Sequence, residues 1–246
     1  MKINWLPFFW ILMTLFITPA FANGLSISPV NLNIPAGKQT ALLKLYNRSD
    51  APLVMQVRIL DWAASNQLSA QDVVVASPPA IRIAPGARQL VRIVNTGTPA
   101  ATGVEKAYRL LLDEIPDPEA PRGNGLLLQM RYSLPLFVGG ADLDSRRSGD
   151  IQSLETLLQQ ALSYRLVLER DRLLEVINNG ALHARIAKLR YLDGEGASHS
   201  LVPGLLGYAL PGERAGFALH TLPPADMTGL VAEINGVDIH LQSAGQ

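Results

Sequence analysis

Apolar side chains recur at every second position over much of this chain, the spacing of strands with one buried face. Between residues 25 and 34, Leu25, Ile27, Leu32 and Ile34 mark such a face, closed by Pro35-Ala36-Gly37. Ala41, Leu43 and Leu45 continue it to a turn at Asn47-Arg48-Ser49-Asp50, and Val57 and Ile59 carry it towards Trp62. Ile81 and Ile83 lead into Pro85-Gly86, ahead of strands at 90–94 and 106–115, the second stopped by Pro116 and Pro118. The longest run, 126–138, is released by Gly139-Gly140. Seven short strands separated by turn residues predict a Greek-key β-sandwich.

The pattern changes around residues 139–149, where Gly, Asp, Arg and Ser replace the apolar runs. Leu154, Leu157, Leu158, Ala161 and Leu162 then stand at helical spacing and predict a short helix. Strand-like runs follow at 164–168, 173–178, 184–191, 216–220 and 231–241. They are separated by Asn178-Asn179-Gly180, Asp193-Gly194-Glu195-Gly196, Pro211-Gly212 and Asn235-Gly236. The expected chain is all-β: a first sandwich over 23–140 and a second, smaller one over 141–246.

Residues 1–22 read differently. A basic start at Lys2, an apolar run from Trp5 to Thr18 and the small-residue signal Ala20-Phe21-Ala22 describe a cleaved export signal. The run is short for a membrane span, which needs about 20 apolar residues. The chain has no cysteine, so disulfides, thiolate metal sites and a lipoprotein anchor are excluded. An exported domain of this kind must rest on its core, and 48% hydrophobic residues supply one. The 21 basic and 21 acidic residues balance, so no overall field draws nucleic acid or an anionic membrane to it. His183, His199, His220 and His240 are scattered, with no metal-ligand spacing. Asp113 and Glu114 adjoin on one strand and point to opposite faces, so they cannot act jointly as acid and base. With no nucleophile elbow and no phosphate loop, no metal, cofactor or small-molecule substrate is expected.

The run over 126–138 is the feature that does not fit an ordinary core. Leu126, Leu128, Met130, Tyr132, Leu134 and Leu136 line one face; Leu127, Gln129, Arg131, Ser133, Pro135 and Phe137 line the other. A strand of that length reaches about 40 Å, roughly twice the usual, and overhangs its own sheet. Pro135 cannot donate to a ladder and argues for an edge there. Such an edge can add itself as a strand to an incomplete partner.

Here the sequence resembles the periplasmic pilus chaperones of the chaperone–usher pathway. The stretch Leu25-Ser26-Ile27-Ser28-Pro29-Val30 with Ile34-Pro35-Ala36-Gly37 looks like the family's first strand. Leu90-Val91-Arg92-Ile93 after Pro85-Gly86, and Tyr108-Arg109-Leu110-Leu111-Leu112-Asp113-Glu114-Ile115-Pro116, are similar to two further stretches. Asn178-Asn179-Gly180 and Gly207-Tyr208-Ala209-Leu210-Pro211-Gly212 are similar to stretches of the family's second domain.

The resemblance implies two immunoglobulin-like sandwiches in a boomerang, binding pilin subunits in the periplasm and passing them to an outer-membrane usher. It places Leu126, Leu128, Met130 and Tyr132 on the donor strand. The best-known branch anchors the subunit's terminal carboxylate with an Arg in the first strand and a Lys in the last. Here Val30-Asn31-Leu32 carries no basic residue and the last-strand position is Pro135. The anchor is therefore expected at Arg92, on a neighbouring strand, with Arg109 and Arg131 next, as in the divergent archaic or alternative branch. Two readings rank lower: a pilus subunit of the same pathway, and an exported enzyme on a sandwich scaffold. Whether the subunit-free protein hides its edge by self-association is left open.

Overall fold

A computed structural model describes residues 24–62, 73–97, 103–116, 129–140, 148–167 and 173–244. The chain is mostly strand and builds two β-sandwiches. The first packs a four-stranded sheet, in the order β1 (Leu25–Ser28), β3 (Thr40–Asn47), β7 (Arg88–Asn95), β5 (Val74–Ser77), on a five-stranded one. The latter runs β2 (Leu32–Ile34), β9 (Arg131–Val138), β8 (Lys106–Ile115), β4 (Leu53–Asp61), β6 (Ala80–Ile83). Alternate residues of both sheets, among them Leu43, Leu45, Val57, Ile59, Val91, Ile93, Leu110, Leu112 and Leu136, fill the space between them.

The expected strand over 25–34 is two strands. Pro29, which has no N–H, interrupts the ladder; β1 pairs antiparallel with β3, while β2 crosses to pair in parallel with β9. Pro85-Gly86 makes the turn its residues call for. Ala87 N donates to Ala84 O at 3.0 Å, with proline at the second position and Gly86 at φ 67° at the third.

Beyond residue 147, α1 (Ser148–Ala161) buries Leu154 and Leu158. The second sheet runs β13 (Ser198–Ala209), β12 (Ala184–Leu192), β15 (Gly229–Ile234), β16 (Val237–Ser243), β10 (Leu162–Val167), β11 (Leu173–Asn178), β14 (Arg214–Ala218). It folds over a core that includes Tyr164, Val176, Ile186, Leu189, Ala232 and Ile239. Asn235-Gly236 closes the β15–β16 hairpin with both residues at positive φ, 51° and 82°, as a two-residue primed turn requires.

The sandwiches share one device. Asn47, at the end of β3, accepts from Ser49 N at 2.9 Å through Oδ1, and its Nδ2 donates to Ala51 O at 2.8 Å and Ile83 O at 3.0 Å. Asn178, at the end of β11, accepts from Gly180 N at 2.9 Å and donates to Leu182 O at 2.8 Å and Ala209 O at 3.0 Å. Each buried amide ties its own turn to a distant carbonyl.

Candidate functional site

β9 is a full member of its sheet at one end only. It pairs with β8 along its whole length, Lys106 opposite Val138 to Asp113 opposite Arg131. On the other side β2 covers Leu136, Phe137 and Val138 alone. Upstream, residues 131–135 have no second strand beside them among the described residues. Glu114 N donates to Met130 O at 2.9 Å, and Gly139 N donates to Ile34 O at 2.9 Å. By the alternation of an antiparallel ladder, even-numbered residues face β8 and odd-numbered ones face away. Arg131 and Ser133 therefore turn their N–H and C=O groups to the open edge, and Pro135 offers a carbonyl with no N–H.

The side chains grade along the same strand. Leu136 is 0% exposed, Leu134 8%, Tyr132 is half-buried and Met130 is 49% exposed. The apolar row thus leaves the core at the end where the edge opens. The sequence predicts a strand over 126–138; the structure gives β9 as Arg131–Val138, with Gln129 and Met130 outside it. Leu126 and Leu128 lie outside the described residues.

Asp113 on β8 fixes this end. Its Oδ2 accepts from Arg58 at 2.7 Å and its Oδ1 accepts from Arg131. Burial alone would raise the Asp113 carboxyl, but the hydrogen bonds and charges of Arg131 and Arg58 bring it below its ordinary value. Glu114, on the opposite face, receives Met130 N at 3.2 Å. The two carboxylates are apart, as their adjacency on a strand dictates.

The three candidate arginines separate clearly. Arg92 is not on a strand beside β9. It lies on β7 of the other sheet and points outward, because Val91 and Ile93 on either side are buried. Strand order is set by long-range pairing, which the local pattern does not encode. Arg131 sits at the mouth of the edge, engaged with Asp113. Arg109 is exposed on the outer face of β8, with Pro135 opposite it on β9 and Leu60 opposite it on β4. Its guanidinium carbon lies 4.2 Å from the Trp62 ring centroid, and among the described residues it makes no ion pair.

Trp62 belongs to an aromatic cluster that joins the sandwiches. Phe137 points away from its own core yet is fully buried, because the His183 ring stacks on it at 3.5 Å and 2°. Trp62 and Tyr208 close around the pair, with centroids 5.3 Å apart. Glu105 and His183, 0% and 3% exposed at their side chains, meet here. Glu105 Oε1 lies 2.7 Å from His183 Nδ1 and accepts from His183 N at 3.0 Å, and Glu105 N donates to Ala181 O at 2.9 Å. Nothing in the local sequence marked His183, since its partner stands 78 positions away.

No catalytic constellation is assembled among the described residues. None of their His, Asp and Glu form a group able to hold a metal. A cleft of about 440 Å³, open to solvent and lined in part by Lys38, Asn95, Lys106 and Tyr108, holds no acid–base pair. No described helix is long and apolar enough to cross a membrane.

Residues 24–143 match the model of the pili and flagellar-assembly chaperone family, PapD N-terminal domain. This chain belongs to the PapD-like pilus chaperones. A search of curated proteins finds no match. Among solved structures, the CsuC–CsuE chaperone–tip adhesion subunit pre-assembly complex from archaic chaperone–usher Csu pili of Acinetobacter baumannii is similar at TM-score 0.66 and 23% identity, over 90% of this chain and 100% of that one. The Salmonella enterica SafA pilin–SafB chaperone complex matches at 0.61 and 16%, over 89% and 96%. The Pseudomonas aeruginosa CupB2 chaperone matches at 0.57 and 17%, over 87% and 97%. At these identities the likeness is one of fold, and it spans both sandwiches. The family is one of chaperones, not enzymes.

Proposed function

We propose that this chaperone works in the periplasm, capturing pilus subunits by lending them a strand and handing them to an outer-membrane usher. The half-open edge of β9 carries the reading. A subunit lacking one strand exposes an apolar groove bordered by unpaired backbone. Arg131 and Ser133 offer that backbone partners, while Met130 and Tyr132, preceded by Leu128 and Leu126, offer alternate apolar side chains to the groove. Each such side chain, once buried, contributes about 1.5–3 kcal/mol.

Arg109 is the anchor for the subunit's terminal carboxylate. It is the cross-strand neighbour of Pro135, the position where the best-known branch carries a lysine, and such neighbours lie about 5 Å apart at Cβ. A cation missing from one strand is thereby restored from the next. The Trp62 face steadies the guanidinium, whose fork suits a carboxylate. This displacement of the basic residue fits the archaic or alternative branch.

The test is co-expression with a candidate pilin subunit from the same genome, followed by co-purification. Wild type is expected to yield a one-to-one complex. Leu128→Glu and Tyr132→Glu abolish it by placing a charge in the groove. Arg109→Ala weakens it about 10- to 100-fold, the worth of a charged hydrogen bond, and Arg92→Ala leaves it unchanged. A complex indifferent to the first three variants would remove β9 from the mechanism. Absence of any complex would return the enzyme reading to consideration.

A further inference from the structure

The outer face of the four-stranded sheet takes no part in the edge described above. It presents Leu42, Lys44 and Tyr46 from β3 and Arg88, Leu90 and Arg92 from β7. Register sets Leu42 opposite Arg92, Lys44 opposite Leu90 and Tyr46 opposite Arg88, so that cationic and apolar or aromatic side chains alternate along and across the strands. Leu42 is 49% exposed and Leu90 52%. The guanidinium carbons of Arg88 and Arg48 lie 5.3 and 5.5 Å from the Tyr46 ring centroid. None of the four strands contains an aspartate or glutamate, although the whole chain is neutral. The nearest acidic residues in sequence are Asp72, two positions ahead of β5, and Asp50, in the turn beyond β3.

We propose that this face attaches the protein, weakly and reversibly, to an anionic phospholipid surface. A stable protein interface gathers its apolar side chains into a core depleted of charge, lysine above all. On this face each exposed leucine has a cation directly opposite it, which is the reverse arrangement. Cations mixed with leucine and an aromatic ring are what interfacial attachment uses. The charges gain from the negative surface potential while the apolar groups reach the acyl boundary. Guanidiniums beside a ring keep N–H donors for phosphate oxygens. Because β9 belongs to the other sheet, attachment here leaves its edge uncovered.

The experiment is co-sedimentation of the protein, recovered from a soluble periplasmic extract, with phosphatidylglycerol–phosphatidylethanolamine vesicles and with phosphatidylcholine vesicles. Binding to the anionic vesicles alone is expected, abolished by about 0.5 M salt. Each cation removed should weaken it about fivefold, so Arg88→Gln with Arg92→Gln loses about 25-fold. Leu42→Ser with Leu90→Ser weakens binding while leaving its salt dependence in place. These side chains are exposed, so the variants should unfold at the wild-type midpoint; Lys44→Gln serves if one does not. Equal binding to neutral vesicles, or binding that ignores these variants, overturns the proposal. So does an absence of vesicle binding together with Arg88-dependent binding of a peptide of alternating Glu and Leu, which would give this face to an acidic protein.

Discussion

Asn47 and Asn178 hold the ends of their strands through the same three kinds of bond: one to their own turn at the second residue on, one at the fourth, and one to a carbonyl more than 30 residues away. Replacing either by alanine leaves buried carbonyls without donors, at about 1–3 kcal/mol. Aspartate is worse, because it sets a carboxylate oxygen against those carbonyls. Chemical unfolding of the four variants tests this, and equal stability of Asp and Ala forms would refute the bonding assigned to Nδ2. Asp113 is a milder case. Its carboxyl lies below the ordinary 3.8 in the folded state, so its contribution is complete above that value and is lost as pH falls through the lower folded one. Asp113→Asn should therefore cost stability at about pH 7, by about 1 kcal/mol or less given the exposure of Arg131, and converge on wild type only once acid has protonated the folded carboxyl. A penalty that persists in acid would assign the effect to packing.

At the scale of elements, what the sequence states plainly is local. Alternation located β3, β4, β7 and β8, and Gly and Asn placed the turns, since period and backbone freedom are properties of neighbouring residues. β13 was missed because Pro203, Gly204 and Gly207 break the apolar alternation, whereas register shifts against β12 accommodate them within one strand. Arg92 was misplaced because strand order depends on pairing across the fold. Pro135 was legible for the same local reason as the turns, since a residue without an N–H belongs at an edge. The structure adds that the missing N–H is one that would face outward. Pro135→Ala restores a donor to the open edge and completes a run of odd-numbered N–H groups from Arg131. Subunit-free Pro135→Ala is therefore expected to self-associate more strongly than wild type, at similar monomer stability, in sedimentation equilibrium over a concentration series. An unchanged association constant would mean that the proline does not guard the edge.

In the whole molecule, the two sandwiches are coupled through a buried carboxylate and an imidazole. Glu105 Oε1 takes both His183 donors, while Oε2 has no hydrogen-bond partner among the described residues and lies against Gly140. A Cβ on Gly140 would meet Oε2 at 2.5 Å and Leu182 Cδ2 at 2.9 Å, so glycine there lets the sandwiches close on the pair. His183→Ala strips the ring from Phe137 and leaves the buried carboxylate with only the backbone N–H of residue 183, a loss of about 3–5 kcal/mol. Glu105→Gln keeps an acceptor for both donors and should cost less. Gly140→Ala forces the joint apart without removing either partner. If the joint couples the sandwiches, wild type unfolds in a single transition, and His183→Ala and Gly140→Ala split it into two by calorimetry. The first sandwich carries β9 and Arg109, so its capture of a subunit should outlast the split, with Arg109 less well fixed because the cluster around Trp62 is opened. A single transition retained in both variants would show that the sandwiches are held by other contacts and that the pair serves only local packing.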